Sequence, residues 1–441
     1  MKIEIKKEND LILRKPTDLV VDFGFEHQQL VENMIETMRD AKGIGLAAPQ
    51  VGVSKKIFVC EFEEDPDLEY KGFPLTVVCN PKIIKSSQKT INMVEGCLSF
   101  PGREILVRRP KSVEIVGQDR YGNPISIKAK DLFSRVIQHE YDHLQSTLMI
   151  DHIKETKIVF IGSGTLGTYA LQYLASDPQY KVVKVVTGKL NTTGRSKDKV
   201  FNPIAKLAKE LKLPILETED INDEKNVQLL KNTKAKLAVM ADFGQFLKSP
   251  VLNLFEKGII NIHPSLLPKH RGPSPVVQTI LDGDKITGVT LILTVAKLDA
   301  GPIISQSKVK LSGAETASIL KDFLAKMGAE LLLACLPYYL AGELPPYGQS
   351  EGKATYSRLF DKKDGEITAE TPAIEIERMV RAFDHWPSVF IFQDGIRIRI
   401  TGCHLDTSGN LIVDRVQREG KKEMAYEEYL RGHNPKLTFG A

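Results

Sequence analysis

The first clear periodic pattern along the chain is helical and covers residues 25–40. Its apolar side chains recur on one face, at Leu30, Val31, Met34, Ile35 and Met38. Short apolar runs with polar breaks between them follow at 56–62 and 75–81, a pattern typical of strands. A second helix is predicted near 131–146. The first third of the chain therefore mixes helices with short strands.

From Lys157 the pattern changes to alternating strands and helices. KIVFIG and YKVVKVV read as strands, TYALQYLA and FNPIAKLAKELKL as helices, and LAVMADF and GIINIHP continue the strands. This alternation predicts an α/β, Rossmann-like domain. A Pro/Gly-rich passage at 341–357 indicates a linker, and a helix near 370–383 and short strands at 390–402 follow it. We therefore expect a multidomain chain with domains at 1–155, 156–360 and 361–441.

Composition agrees with several soluble domains. The chain has 441 residues, of which 42% are hydrophobic and 26% charged. No apolar run is long enough to cross a bilayer, and the N-terminus lacks the apolar core of a secretion signal, so we expect no membrane association. Five scattered cysteines indicate a reducing, cytoplasmic location. Because the net charge is only +4, any RNA contact must come from a local basic patch.

A metal motif lies on the helix predicted near 131–146. His139 and His143 are four residues apart, so both rings leave the same face, and Glu140 between them is placed to act on water rather than as a ligand. An open catalytic metal site needs a third protein ligand, and Cys97 is the candidate. Taken alone, however, HExxH also occurs in proteins without a metal, and a cysteine in a tight turn is often only a small buried apolar residue.

Three segments occur in order: GIGLAAPQ (43–50), EGCLSFP (95–101) and QHEYDHL (138–144). Together they closely resemble the motifs of peptide deformylases, and the similarity spans residues 1–152. The resemblance implies the α+β deformylase fold and removal of the formyl group from formyl-Met peptides. The residues that it implies for the site are metal ligands Cys97, His139 and His143, general base and acid Glu140, and oxyanion donors Gln50 (side chain) and Leu98 (backbone N–H).

The same resemblance implies that Gly43, Ile44 and Gly45 form an edge along which an extended peptide pairs. A formamide is a poor electrophile, so its hydrolysis calls for a metal that polarises the carbonyl group. One thiolate and two imidazoles are compatible with Fe(II), and Zn(II) or Ni(II) could substitute. We also expect Glu95 and Arg103 to pair and hold the cysteine loop.

A glycine-rich turn follows the strand KIVFIG. Gly162, Gly164 and Gly167 satisfy GxGxxG, which is the pattern of a dinucleotide-binding turn. In that fold the next strand ends in an acidic residue that binds the ribose, but here it ends in Thr187-Gly188-Lys189. We therefore expect no NAD, and we interpret the glycines as permitting close packing of strand and helix.

Asn261 and His263 lie two apart at the end of a predicted strand, so their side chains face the same side. Either residue alone would more often be structural. With the following SLLPKHRG and with Asp299 in LDAGPI, however, they resemble the catalytic set of folate-dependent formyltransferases, over residues 157–360. The resemblance implies 10-formyltetrahydrofolate as formyl donor. The folate pocket that it implies contains Phe243, Gly244, Gln245, Phe246, Leu247, Ser265, Leu266, Leu267 and Pro268.

The chemistry of formyl transfer fits this set. When an amine attacks the formyl carbon, an oxyanion develops that Asn261 and a protonated His263 can stabilise. Asp299 can keep His263 charged and, through a water molecule, collect the proton of the amine.

The amine is indicated by the C-terminal part. RAFDHWPSVF (381–390) and KKEMAYEEYLRGH (421–433) resemble methionyl-tRNA formyltransferases, which implies initiator Met-tRNA as acceptor and a small, shortened OB-like β domain at 361–441. The loop at 188–199 resembles the family's tRNA-contacting loop, although alone it reads equally well as a solvated loop. Its basic residues are Lys189, Arg195, Lys197 and Lys199. Residues 361–441 carry twelve Lys/Arg against fourteen Asp/Glu, a net charge of −2, whereas RNA-binding modules are normally positive.

We therefore expect a bifunctional enzyme that formylates initiator Met-tRNA and deformylates nascent formyl-Met peptides at the ribosome. Three alternatives remain. The transferase half could act on a small amine such as an amino sugar or a nucleotide amine, or one half could serve only to regulate or tether the other. A metalloprotease joined to a dehydrogenase is disfavoured by EGCLS and by the missing acidic residue. The native metal and the oligomeric state stay open.

Overall fold

The computed structural model describes residues 1–64, 70–153, 155–189, 202–393 and 395–432. The chain divides into two compact units, Met1–Lys154 and Glu155–Ala441. Among the described residues, no helix combines the length and the apolar character that a bilayer crossing requires.

The N-terminal unit is an α+β structure built on antiparallel strands. Its described helices and strands are α1 (Phe25–Asp40), β1 (Gly45–Ala47), β2 (Ile57–Phe62), β3 (Phe73–Ser86), β4 (Thr90–Cys97), β5 (Phe100–Pro110), β6 (Ser112–Gln118), β7 (Pro124–Lys130) and α2 (Asp131–Leu144). One antiparallel sheet has the order β1-β2-β3-β6-β7, and β4 pairs with β5 as a hairpin. The predicted helices and strands are confirmed, with ends shifted by a few residues.

Helix α2 is held firmly because its apolar face enters the core of this unit. Val136, Ile137 and Leu144 are buried against strand residues that include Phe58 and Ile115. Burial of this kind stabilises by about 1.5–3 kcal/mol per large apolar side chain. The HExxH residues therefore project from a fixed helix into the space beside β1 and β4.

The second unit begins with an α/β domain. Its described helices and strands are β8 (Thr156–Gly162), α3 (Thr168–Ser176), β9 (Tyr180–Gly188), α4 (Pro203–Glu210), β10 (Ile215–Thr218), α5 (Glu224–Asn232), β11 (Leu237–Ala241), α6 (Ser249–Leu252), β12 (Ile259–His263), α7 (Pro275–Leu281), β13 (Ile286–Leu293), β14 (Ile303–Lys310) and α8 (Ala317–Ala341). The sheet order is β10-β9-β8-β11-β12-β13-β14. The first five strands are parallel, and β13 and β14 are antiparallel. Strand order reverses between β8 and β11, and in open α/β sheets ligands bind beyond the carboxyl ends of strands at such a point.

The glycine turn after β8 is occupied by a side chain of the protein itself. A Cβ added at Gly164 would lie 1.9 Å from Asp242 Oδ2, so the carboxylate sits directly against the turn. Lys321 Nζ donates to the same oxygen at 2.8 Å, and the backbone N–H groups of Ser163 and Gly164 donate to the Asp242 carbonyl group. A dinucleotide phosphate placed on this turn would meet a carboxylate at contact distance.

The C-terminal part contains an antiparallel sheet of four strands among its described residues. Its helices and strands are α9 (Ala373–Ala382), β15 (Val389–Gln393), β16 (Ile396–Leu405), β17 (Leu411–Arg418), β18 (Met424–Ala425) and α10 (Tyr426–Gly432). The sheet order is β15-β16-β17-β18. In IRIRITG, Ile398 and Ile400 are buried and alternate with the half-buried Arg397 and Arg399, as the period of two predicts. Ile376 of α9 belongs to the same apolar core as Ile280 of α7, so this part packs on the α/β domain.

Candidate active sites

Three potential metal ligands converge in the N-terminal unit. Cys97 ends β4, and His139 and His143 lie one turn apart on α2. One ligand atom of each residue lies within 4.8 Å of the others, and Cys97 Sγ is 3.3 Å from His143 Nε2. Both histidines are buried, and the cysteine is half-buried. The structure therefore brings the three predicted ligands together.

Glu95 fixes the orientation of His139. Its Oε2 lies 2.9 Å from His139 Nδ1, and since a carboxylate only accepts, Nδ1 carries a proton and the Nε2 lone pair is left for a metal. Glu95 also binds Arg109 at 2.6 Å and Arg135 at 2.5 Å, all three being buried. Burial opposes ionisation, but hydrogen bonds from Arg109 and His139 hold the pKa of Glu95 well below its usual range. Glu95 is therefore ionised beside His139 at neutral pH.

The expected pairing of Glu95 with Arg103 is wrong. Arg103 Nη1 instead contacts Glu8 Oε2, at 3.2 Å. The partners of Glu95 come from β5 and α2, because Arg109 and Arg135 are the arginines whose side chains point inward toward the hairpin. Spacing along the sequence does not reveal which of several nearby arginines faces inward.

The donor set fits a divalent metal. Burial lowers the pKa of His143 well below its usual range, which favours the neutral ring that binds metals. Glu140 Oε2 is buried and, within the described residues, makes no hydrogen bond, as a group awaiting a substrate proton would. One thiolate with two imidazoles leaves a coordination position open, and it suits iron or zinc.

Glu140 lies against Gly45 at the edge strand β1. A Cβ added at Gly45 would lie 2.3 Å from Glu140 Oε1, so only glycine leaves room for this carboxylate. Burial raises the pKa of Glu140 to about 7. A carboxyl group with that pKa can both take and return a proton near neutral pH.

The Gln50 side chain faces the candidate metal ligand Cys97. Its Oε1 accepts the Ala47 backbone N–H at 2.8 Å, so Nε2 faces Cys97 Sγ at 3.5 Å and Ser99 Oγ at 3.3 Å. A cavity of about 770 Å³ opens in front of these groups. The residues expected from the sequence that line it are Gly43, Ile44, Gly45, Gln50, Cys97, Leu98, His139 and Glu140. The expected oxyanion donors and the expected peptide edge therefore line the same cavity as Cys97, His139 and Glu140.

The second site lies at the carboxyl end of β12. Asn261 and His263 are both buried and on the same side of the strand, as predicted. Asp299, from the loop before β14, brings Oδ1 to 3.4 Å from Asn261 Nδ2 and Oδ2 to 3.7 Å from His263 Nδ1. His263 Nε2 is 3.0 Å from the His270 carbonyl oxygen, which only accepts, so Nε2 carries a proton and Nδ1 faces Asp299. Asp299 thus lies beside both of the other predicted residues, Asn261 and His263.

The segments expected to bind folate follow neighbouring strands. Phe243–Leu247 comes after β11 and Ser265–Pro268 after β12, and these strands are parallel neighbours, so the loops meet at one edge. Ser265 is fully buried; its carbonyl oxygen accepts from Thr290 Oγ1 at 2.7 Å. Gln245 accepts from the backbone of Ile221 and donates to that of Thr218, which makes it an anchor of its own loop. Phe246 is 73% exposed beside it, whereas Leu247 is buried.

Of the basic residues expected to contact tRNA, only Lys189 is described. Its Nζ pairs with Glu219 Oε1 at 2.8 Å on the surface. Arg195, Lys197 and Lys199 lie outside the described residues, so the structure does not place them.

Comparisons with known proteins agree with this geometry. Family models match at residues 2–158 (polypeptide deformylase), 156–336 (formyl transferase) and 360–411 (formyl transferase, C-terminal domain). The methionyl-tRNA formyltransferase of Roseiflexus castenholzii is 37% identical over 300 residues, which is 63% of this chain and 96% of that protein. The chain belongs to the methionyl-tRNA formyltransferase family, with a polypeptide deformylase domain ahead of it. The formyltransferase of Chloroflexus aggregans is 38% identical over 309 residues, covering 64% of this chain and all of that protein.

Solved structures resemble the deformylase domain. The peptide deformylase of Ehrlichia chaffeensis is 34% identical and covers 35% of this chain and 89% of its own, with a TM-score of 0.33. That of Thermotoga maritima is also 34% identical, covering 35% and 99%, with a TM-score of 0.32.

Some residues of the formyltransferase site have no role in the sequence interpretation. Arg271 lies in the segment SLLPKHRG, yet only the structure reveals that its side chain is fully buried and bound to Gln349 and Glu351. Gln349 belongs to the passage interpreted as a linker, and no sequence pattern marks it. Its side chain donates a hydrogen bond to the backbone carbonyl oxygen of Asp299, which lies 50 residues earlier in the chain.

Proposed function

We propose that this chain carries two independent enzymes acting on one chemical group: it transfers formyl to initiator Met-tRNA and removes formyl from nascent formyl-Met peptides. The observation that carries the proposal is the presence of two complete side-chain sets. Cys97, His139 and His143 converge beside Glu140 in one unit, and the Asn261–His263–Asp299 set lies in the other. A half that only regulated or tethered its neighbour would not need its complete set.

In the deformylase domain, Cys97, His139 and His143 would hold the metal, which we propose to be Fe(II), with Zn(II) or Ni(II) as substitutes. When bound, the metal supplies Lewis acidity, which favours attack of water on a formamide. Gln50 Nε2 points at this position and would donate to the carbonyl oxygen as its C–O bond lengthens. The Leu98 backbone N–H is the second donor that we propose.

Glu140 would move the proton. Water adds to the formyl carbon while Glu140 takes its proton, and the C–N bond then breaks as Glu140 returns the proton to the amine, releasing formate. Its pKa of about 7 suits both directions of transfer. The peptide would pair with the edge at Gly43, Ile44 and Gly45, which lines the same cavity.

In the formyltransferase site, the donor we propose is 10-formyltetrahydrofolate, bound by the loops after β11 and β12. The uncharged amine of the acceptor adds to the formyl carbon, and the bond from that carbon to N10 then breaks as N10 takes up a proton, which releases tetrahydrofolate. Asn261 Nδ2 and His263 Nδ1 would donate to the developing oxyanion, since the backbone of His270 occupies the other ring nitrogen. Asp299, next to both groups, would collect the proton from the amine through a water molecule.

We propose methionyl-tRNA as the acceptor because relatives named methionyl-tRNA formyltransferase match this chain over nearly their full length. We further propose domain boundaries near 155 and 360, and a shortened OB-like module at 361–441 that helps to hold the tRNA. The basic loop with Lys189, Arg195, Lys197 and Lys199 would neutralise phosphates of the acceptor stem.

The acceptor is tested by competition on purified protein with labelled 10-formyltetrahydrofolate. We expect label in initiator Met-tRNA and, at equal concentration of amine, at least about 100-fold less in an amino sugar or a ribonucleotide amine. Label that accumulates in the small amine and not in the tRNA would overturn the proposed acceptor. Uncharged tRNA serves as the control, since it offers the same phosphates without the amine.

A further inference from the structure

The passage between the α/β domain and the C-terminal sheet is tied to both loops of the formyltransferase site. Tyr347 and Ile303 exchange two backbone hydrogen bonds, at 2.7 and 2.9 Å. Further along, the Arg271 N–H donates to the Thr355 carbonyl group at 2.9 Å, and the Ser357 N–H donates to the Arg271 carbonyl group at 2.7 Å. Residues 347–357 therefore bridge the loop after Asp299 and the loop after β12.

Gln349 is the residue in this passage that reaches the catalytic loop. Its Nε2 donates to the backbone carbonyl oxygens of Asp299 and Gly301, each at 2.7 Å. Its Oε1 accepts from Arg271 Nη2 at 2.8 Å and from Nε at 3.1 Å. A carboxamide has two donors and two lone pairs, so this one is fully used.

Arg271 makes the support rigid. Its side chain is fully buried, and Nη2 also donates to Glu351 Oε1 at 2.9 Å. Glu351 in turn accepts from Lys297 Nζ at 2.8 Å, two residues before Asp299. A buried guanidinium that lost one of these partners would be left partly unpaired, so the arrangement resists movement.

Asp299 needs such support because of its backbone. Its φ is +44°, in the left-handed region that non-glycine residues seldom adopt. The carboxylate is held by the Gly272 N–H, which donates to Oδ2 at 2.8 Å. Gln349 holds the other end of the residue, at the backbone carbonyl group. Both ends are thus fixed, and the carboxylate faces Asn261 and His263.

We propose that Gln349 is a positioning residue for formyl transfer: it holds Asp299 in the geometry that serves His263, while taking no part in binding either substrate. The inference rests on the formyltransferase function proposed above. It predicts that losing the two hydrogen bonds to the backbone slows the chemical step and leaves substrate affinity intact.

The decisive variant is Gln349→Glu. It keeps an oxygen for Arg271 but replaces the donor to the two carbonyl groups by an acceptor. We expect kcat for Met-tRNA formylation to fall about 10- to 100-fold, with the KM values of both substrates and the Tm nearly unchanged. Gln349→Ala, which adds no charge, should give the same loss in kcat. Gln228→Glu, the same change on the exposed face of α5, is the control and should keep full activity.

The outcomes separate the inference from the function on which it rests. A wild-type chain that does not formylate Met-tRNA would overturn both. An active wild type beside a Gln349→Glu variant with unchanged kcat would overturn the inference alone, as would a loss confined to KM or matched by a large fall in Tm in both variants. Deformylation, measured on each sample, reports the amount of folded N-terminal unit.

Discussion

Substituting Gly45 by alanine tests how closely the deformylase site is packed. The added Cβ would lie 2.3 Å from Glu140 Oε1, 2.9 Å from Cδ and 3.0 Å from Cγ. Real Cβ atoms essentially never approach a neighbour within 3.0 Å, and ordinary contact begins at 3.4 Å, so the carboxylate oxygen must retreat by about 1 Å. Only 3% of the surface of Glu140 is exposed, so the side chain has little room for this movement.

The cost follows from that displacement. A misplacement of about 1 Å in a group that transfers a proton lowers the rate by about 100-fold, equivalent to about 2.7 kcal/mol in the activation free energy. Overpacking of a buried site destabilises by about 1–3 kcal/mol, so the domain should still fold. We therefore expect Gly45→Ala to lower kcat/KM for a formyl-Met peptide about 100-fold, with formylation of Met-tRNA unchanged in the same sample.

The assay is release of formate from a formyl-Met tripeptide, with thermal unfolding as a check on folding. Gly96→Ala is the comparison, since its Cβ would meet nothing closer than the Arg103 carbonyl oxygen at 3.9 Å. It should stay within about threefold of wild type. If Gly45→Ala were as active as wild type, the position that the structure gives Glu140 would be refuted.

Three further predictions concern charge and metal. Glu95→Gln leaves the buried Arg109 and Arg135 without their carboxylate, so we expect a loss of about 3–5 kcal/mol in unfolding free energy by denaturant titration, and less bound metal by elemental analysis. Chelation should abolish deformylation and spare formylation, and added Fe(II) should restore the former. Partial burial opposes ionisation of Glu315, but hydrogen bonds from Ser312 lower its pKa to about 2 from 4.5. Because the folded pKa is the lower one, its stabilisation is complete above pH 4.5 and is lost as the pH falls toward 2. Glu315→Gln should therefore cost about 0.5–1 kcal/mol at pH 7 and nothing near pH 2, since exposure weakens the interaction.

Local patterns in the sequence predicted the helices, the strands and the side chains that share a face, whereas the resemblance to two families implied which of those side chains react. Helix α1 follows from apolar spacing, and the placement of His139 and His143 follows from the helical period. Asn261 and His263 share a face because a strand alternates. Each of these predictions depends on neighbours within a few residues, where chain geometry is fixed by secondary structure.

Contacts between distant segments were not predictable in the same way. Several arginines lie close enough in sequence to pair with Glu95, and only the register of β4 with β5 and the docking of α2 select Arg109 and Arg135 over Arg103. Gln349 supports a loop 50 residues away, and a lone glutamine in a Pro/Gly-rich passage carries no local signature. The partner of the glycine turn was likewise not predictable, and only the structure shows the Asp242 carboxylate packed against it.

The central claim is that one chain holds two independent active sites, and one paired measurement tests it most directly. Wild type, Glu140→Ala and His263→Ala are each assayed for deformylation of a formyl-Met peptide and for formylation of initiator Met-tRNA. We predict that Glu140→Ala loses about a thousandfold in deformylation and keeps formylation within about twofold, and that His263→Ala does the reverse. Either substitution abolishing both activities, or a wild type that lacks one of them, would contradict the claim.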